Sequence, residues 1–139
     1  MSQTQTTSTK KIAADILTRL QSITDIKNGY DYPRIKLDGS MPCVIVFYDG
    51  DTNELNTNGT FKTDYRYVAR IYKNYGNNRQ GWYDIQDLRD KIIDEIHKDR
   101  SLSSTVIHMF VTSSDPRIDD QQRIFVEFNL QVKRVEEYI

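Results

Sequence analysis

Near the C-terminus, Ile124, Val126, Phe128, Leu130 and Val132 alternate without a break with Phe125, Glu127, Asn129, Gln131 and Lys133. Successive side chains of a strand point to opposite faces, so this run describes a long strand with one dry face and one wetter face. A helix of the same residues would scatter its apolar positions all round. The chain must therefore build a sheet that is covered on one side. At 139 residues it has the length of a single domain, by the usual ~100–200 residues each. That is enough to bury a core without disulfides or metals.

The other elements follow from the same arithmetic. Ile12, Ile16, Leu20 and Ile23, with Ala13 and Leu17 beside them, recur at steps of three and four. They predict a helix over residues 10–23, with Thr9 as N-cap. Residues 1–9, rich in Ser, Thr and Gln and without an apolar stretch, read as a disordered leader and not a signal peptide. Residues 10–139 form the single domain. Asn28-Gly29 is expected to stop regular structure. The β-branched run 43–48, bounded by Pro42 and Asp49-Gly50, predicts a strand covered on both faces. Residues 49–64 then read as a long polar loop. Alternation over 65–72 predicts a strand with Tyr65, Tyr67, Ala69 and Ile71 on one face and Arg66, Val68, Arg70 and Tyr72 on the other.

A Gly/Asn connection over 74–81 leads to a second helix, residues 83–99, buried through Ile85, Leu88, Ile92 and Ile96. Acids open this helix and His97, Lys98 and Arg100 close it, as the helix dipole favours. Residues 106–111 predict a strand and 113–122 a polar loop containing Asp115-Pro116. The residues at 35–37 could add a short edge strand. The expected fold is α+β: a mostly antiparallel four- to five-stranded sheet with two helices packed on it, in the order α-β-β-α-β-β.

Composition narrows the function. Nineteen Lys and Arg against twenty Asp and Glu give a net charge of −1, which argues against a domain built mainly to grip nucleic acid. No run of apolar residues reaches the ~18 that a membrane-spanning helix needs. The single cysteine, Cys43, cannot form an internal bridge, and the chain is expected to fold in a reducing compartment. Nine tyrosines suit subunit contacts, where a ring is buried and its hydroxyl stays wet, or else compensate for a thin aliphatic core.

No motif demands catalysis, a metal or a cofactor. His97 and His108 have no second ligand at zinc spacing. Asp49-Gly50-Asp51-Thr52-Asn53 opens like a calcium loop. Glu54 then stands where the turn needs glycine, and Thr60 stands where a bidentate glutamate belongs. The glycines before the second helix match neither dinucleotide nor P-loop spacing. Arg66, Arg70 and Lys73 with Tyr72 and Tyr75 make a basic-aromatic strip. It suits a solvent face with local salt bridges, an acidic neighbouring subunit or nucleic acid.

Several features together carry a resemblance: the first helix, Tyr32-Pro33 leading to a core strand, and the amphipathic Trp82-Tyr83-Asp84-Ile85-Gln86-Asp87-Leu88-Arg89-Asp90-Lys91-Ile92-Ile93. The others are the Ser-Asp-Pro-Arg-Ile-Asp-Asp tip and the final strand ending Leu-Gln-Val-Lys-Arg-Val-Glu. In this order they resemble the tail terminator (tail completion, or head–tail joining) proteins of long-tailed bacteriophages, over nearly the whole chain after residue 9. The 49–64 loop departs from that layout. The resemblance implies a virion protein, assembled in host cytoplasm, that forms a ring, typically a hexamer. The ring would cap the tail tube, end its polymerisation and join it to a head connector or neck protein, with DNA passing through the lumen without specific binding. It implies no enzyme activity and no membrane partner. Competing readings are another neck or baseplate adaptor, or a small metal-dependent phage nuclease.

Contact surfaces expected on this basis are Asp51, Asn53, Glu54 and Phe61 in the 49–64 segment, and Asp115, Arg117, Asp119 and Asp120 at the hairpin tip. Arg66 and Arg70 are expected to pair with acids across the subunit boundary.

Overall fold

The computed structural model describes residues 9–23, 26–33, 41–55, 60–74, 79–98, 108–119 and 123–137. Two helices and five strands follow in the order α1 (Thr9–Gln21), β1 (Asn28–Tyr30), β2 (Cys43–Leu55), β3 (Thr60–Asn74), α2 (Arg79–Lys98), β4 (His108–Ile118) and β5 (Arg123–Glu137). The strands form one sheet in the order β1-β2-β3-β5-β4. Every pairing is antiparallel except β1 with β2. This is the expected α+β fold with one further strand, β1. Leader residues 1–8, the 35–37 segment, Tyr75, Arg100 and Asp120 lie outside the described residues.

The sheet is dry on one face. Val44, Val46, Tyr65, Tyr67, Ala69, Ile71, Ile124, Val126, Phe128, Leu130 and Val132 meet Ile12, Ile16 and Leu20 of α1 and Ile85, Leu88, Ile92 and Ile96 of α2. The alternation of the last strand thus marks its buried face residue by residue. Phe128 and Val132 are fully buried. Burying one such side chain contributes roughly 1.5–3 kcal/mol. Tyr65, Tyr67 and Tyr72 are buried, while Tyr32, Tyr48 and Tyr83 are exposed. The Tyr67 hydroxyl donates to the Thr9 carbonyl at 2.9 Å, which ties the start of α1 to the middle of β3.

Four expectations are corrected. Asn28-Gly29 does not end regular structure; it belongs to β1, where Gly29 lies opposite Val44. A Cβ on Gly29 would come within 2.7 Å of Leu17 of α1, so glycine lets helix and edge strand approach. The 49–64 segment is not a long loop. Strands β2 and β3 continue through it to Leu55 and Thr60. Asp49-Gly50, which resembles a turn, is a β-bulge between Tyr48 and Asp51. Gly50 sits at φ +109°, a conformation in which other residues are strained. Likewise 113–118 is strand and not loop: β4 runs through Asp115 and Pro116 to Ile118. Polar, half-exposed strands lack the hydrophobic alternation that announces a strand. Finally, α2 begins at Arg79 with no acid in its first turn, so only its basic C-terminal end matches the dipole.

Strands β3 and β5 have 15 residues each, about 50 Å at ~3.3 Å per residue. The core ends near Tyr65 and Val132. Beyond it, residues 51–55 of β2, 60–64 of β3 and 133–137 of β5 continue as a three-stranded ribbon. At the opposite end β4 and β5 close through Asp119 and Arg123.

Candidate functional site

Three surfaces carry the residues singled out above. The first is the ribbon. Its pairings are Asp51 with Tyr65, Asn53 with Thr63, Glu54 with Lys62 and Leu55 with Phe61. Tyr48 donates to Asp51 Oδ1, Asn53 Nδ2 donates to Asp51 Oδ2 at 3.0 Å, and Thr63 Oγ1 donates to Asn53 Oδ1 at 2.8 Å. Asp51 and Asn53 therefore stiffen the ribbon from within. The bond to Asp51, with burial adding to it, holds the Tyr48 hydroxyl above the usual tyrosine range. Leu55 is 65 % exposed and Glu54 is exposed beside it. For Phe61 the structure describes the backbone alone.

The second surface is the β4–β5 tip. Asp119 accepts from the Arg123 amide at 2.8 Å and lies 3.7 Å from its guanidinium, so it closes its own hairpin. Asp115 and Arg117 are exposed, and Ile118 is 52 % exposed. Two bonds from α2 brace this hairpin. Arg89 Nε donates to Ser114 Oγ at 3.2 Å, and the Val111 amide donates to His97 Nε2 at 3.3 Å.

The third surface is the sheet face away from the helices. Residues opposite one another in register share a face. One row therefore runs Ile45, Arg70, Glu127, Asp115, and the next runs Cys43, Tyr72, Phe125, Arg117. Arg70 and Arg66 project on this face, as do Asp115 and Arg117. Arg70 Nε donates to Glu127 Oε1 at 2.7 Å, so its acid lies in its own chain. The Arg70 guanidinium is 5.4 Å from the Phe47 ring centre and 5.9 Å from that of Phe125, and Tyr72 stacks on Phe125 at 4.8 Å. Partial burial pulls the Arg70 pKa down, but the hydrogen bond to Glu127 and the nearby Tyr72 and Glu127 charges raise it on balance. Arg66 lies over the Gly50 bulge, exposed and without a salt-bridge partner among the described residues.

The structure thus brings Arg66, Arg70, Asp115 and Arg117 onto one face and sends the two expected contact segments to opposite ends of the sheet. Sequence reasoning missed Phe47, Phe125 and Glu127 as neighbours of Arg70. The signal was present, since Phe125 and Glu127 occupy the wetter positions of the last strand. Only the β3–β5 register puts them beside Arg70. It also missed Leu55 and Ile118, one at each tip.

Among the described residues no group of three His, Cys, Asp or Glu side chains could hold a metal ion. Cys43 is in no disulfide and is buried. A cleft of about 330 Å³ lies among Lys27, Lys73, Asp84, Asp87 and Lys91. There Asp84 accepts from Gln80 at 2.7 Å and Lys73 at 3.2 Å, and both bonds hold its carboxyl below the usual range. No described helix is long and apolar enough to cross a membrane.

No family model matches the chain, and no curated protein matches it. Among solved structures, a chain from the virion of a native gene transfer agent particle has a similar fold. The TM-score is 0.51 at 11% sequence identity, over 91% of this chain and 93% of that one. The chain thus shares its overall fold with a chain of that virion.

Proposed function

We propose that this chain is a structural virion protein. Copies of it form a ring, a hexamer on the resemblance noted above, that caps the tail tube, stops its growth and joins tail to head. The observation that carries this reading is the fold likeness to a gene transfer agent virion chain, which extends over nearly the full length of both chains. The geometry supports it. A body that joins two different neighbours needs two separate contact regions. Here the exposed tips carrying Leu55 and Ile118 lie at opposite ends of a sheet about 50 Å long. A ring also requires a head-to-tail interface that closes on itself. The helix-free face, with Arg70 held between two aromatic rings, offers the Arg and aromatic residues that anchor such contacts. In this reading the protein makes and breaks no bond, needs no cofactor, and lets DNA slide through its lumen. It works in the virion after assembly in the host cytoplasm.

Solution mass by light scattering, alone and with tail-tube protein, tests the proposal. The expected result is about six subunit masses and arrest of tube elongation. Leu55→Asp and Ile118→Asp should each abolish binding to one neighbour and spare the other. A ring that binds neck proteins but not the tube would make the chain a different adaptor. DNA cleavage with Mg²⁺ or Mn²⁺ would replace the proposal with a nuclease.

A further inference from the structure

Among the described residues, two α2 side chains hydrogen-bond to the edge strand β4, and they differ in kind. Arg89 donates to Ser114 Oγ, and a guanidinium keeps its protons throughout the pH range in which proteins fold. His97 accepts: its Nε2 takes the Val111 amide at 3.3 Å. Val111 stands at the register shift of β4, where pairing passes from Val111–Leu130 to Ser113–Asn129. A backbone amide at such an irregularity has to find its partner outside the ladder, and here a helix side chain supplies it. Accepting at Nε2 needs a lone pair there. The ring is therefore neutral, with its proton on Nδ1. An imidazolium carries N–H at both nitrogens and would set a donor against a donor.

Histidine is the side chain whose charge ordinarily changes between about pH 5 and 8. His97 is exposed, so a proton reaches it without any opening of the fold. On α2, Asp94 and Lys98 flank it with one charge of each sign, and Glu95 is engaged by Arg19 of α1. Across from it, β4 and β5 turn Met109, Val111, Leu130 and Val132 toward the helices, and none of these is charged. His108 and Lys133 are paired in register and stand with Phe110 on the opposite face. Among the described side chains, the sheet thus offers the imidazolium no carboxylate in place of the lost bond. Its loss would also leave a bare donor on an edge strand, the kind of group that recruits another strand.

We propose that His97 is a pH-sensitive latch. Neutral, it pins the register shift of β4 to α2; protonated, it releases that point of the edge strand while Arg89 still holds Ser114. The inference concerns a single chain and is independent of the ring reading. NMR and hydrogen exchange on the intact chain test it. At about pH 8 the His97 ring nitrogens should show the Nδ1–H tautomer. The protection factor of the Val111 amide should fall roughly three- to ten-fold between about pH 8 and pH 5, the change expected when an amide loses one net hydrogen bond. Protection at Ile71 and Phe128 should not change. His97→Gln supplies an acceptor that does not titrate and should remove the pH dependence at Val111. His97→Ala should show the low protection at both pH values. An Nε2–H tautomer at the higher pH overturns the proposal. So does Val111 protection that stays constant with pH in the intact chain, or that falls equally in His97→Gln.

Discussion

The two hairpins are built alike and supported differently. Each joins two long strands, each ends in an exposed apolar residue, and each carries a register shift, at Tyr48/Asp51 in one and Val111/Ser113 in the other. The β4–β5 hairpin leans on α2 through Arg89 and His97. The β2–β3 ribbon runs past the helices and is stiffened by its own Tyr48, Asp51, Asn53 and Thr63. Backbone pairing and side-chain bonds can thus hold a protrusion in shape where no core reaches it. Such a protrusion can present residues far from the body, whereas a braced hairpin can transmit load into it.

The largest test concerns what the hairpins share. Phe128 is fully buried on β5, opposite Ala69 of β3 and Ser114 of β4. Phe128→Ala should cost about 3–5 kcal/mol, a large part of a typical domain's stability. Both hairpins should lose hydrogen-exchange protection together. If the ribbon keeps its protection while β4 loses it, the two do not share a foundation. The next test separates them. Gly50→Ala places a side chain at φ +109°, at a cost of about 1–3 kcal/mol. The new Cβ would also come within 2.5 Å of Arg66 Nη2, which can swing aside. Denaturation should show the loss, and exchange should place it in residues 51–55, with the β4–β5 hairpin unchanged. Equal loosening of both hairpins would contradict the independent support assigned to the ribbon.

The sequence made the body legible because burial writes a period. The stripe Ile85, Leu88, Ile92, Ile96 and the alternation from Ile124 to Val132 each name buried side chains, and all are buried. Two other stretches carry no such mark. Asp49 to Leu55 and Ser113 to Ile118 are mostly polar and exposed, and polar strands look like loops. The cluster around Arg70 was half legible. Its arginine and aromatic residues stand on the correct faces, but the partnership with Glu127 depends on pairing residues that lie 57 positions apart. Register across such a distance is set by the whole sheet and leaves no local signal.

The smallest effect probes the braced end, where Lys73 of β3 meets Asp84 of α2 at 3.2 Å. Hydrogen bonds from Gln80 and Lys73 hold the Asp84 carboxyl below its ordinary 3.8. A carboxyl lowered in the folded state stabilises the fold above its unfolded pKa, and that contribution is lost as pH falls through the folded one. The intact chain should therefore exceed Asp84→Asn in melting temperature at neutral pH. The gap should narrow below about pH 4 and also in high salt, because the pair is partly exposed. The equivalent comparison for the ribbon, Asp51→Asn, keeps an acceptor for only one of Tyr48 and Asn53, which donate to different carboxylate oxygens, and its cost should respond less to salt, since those hydrogen bonds involve no cation. A pH-independent gap for Asp84→Asn would mean that the carboxyl holds α2 against β3 by shape and not by charge. The contact between α2 and β3 would then be held as the ribbon is, by hydrogen bonds that do not depend on a charge pair.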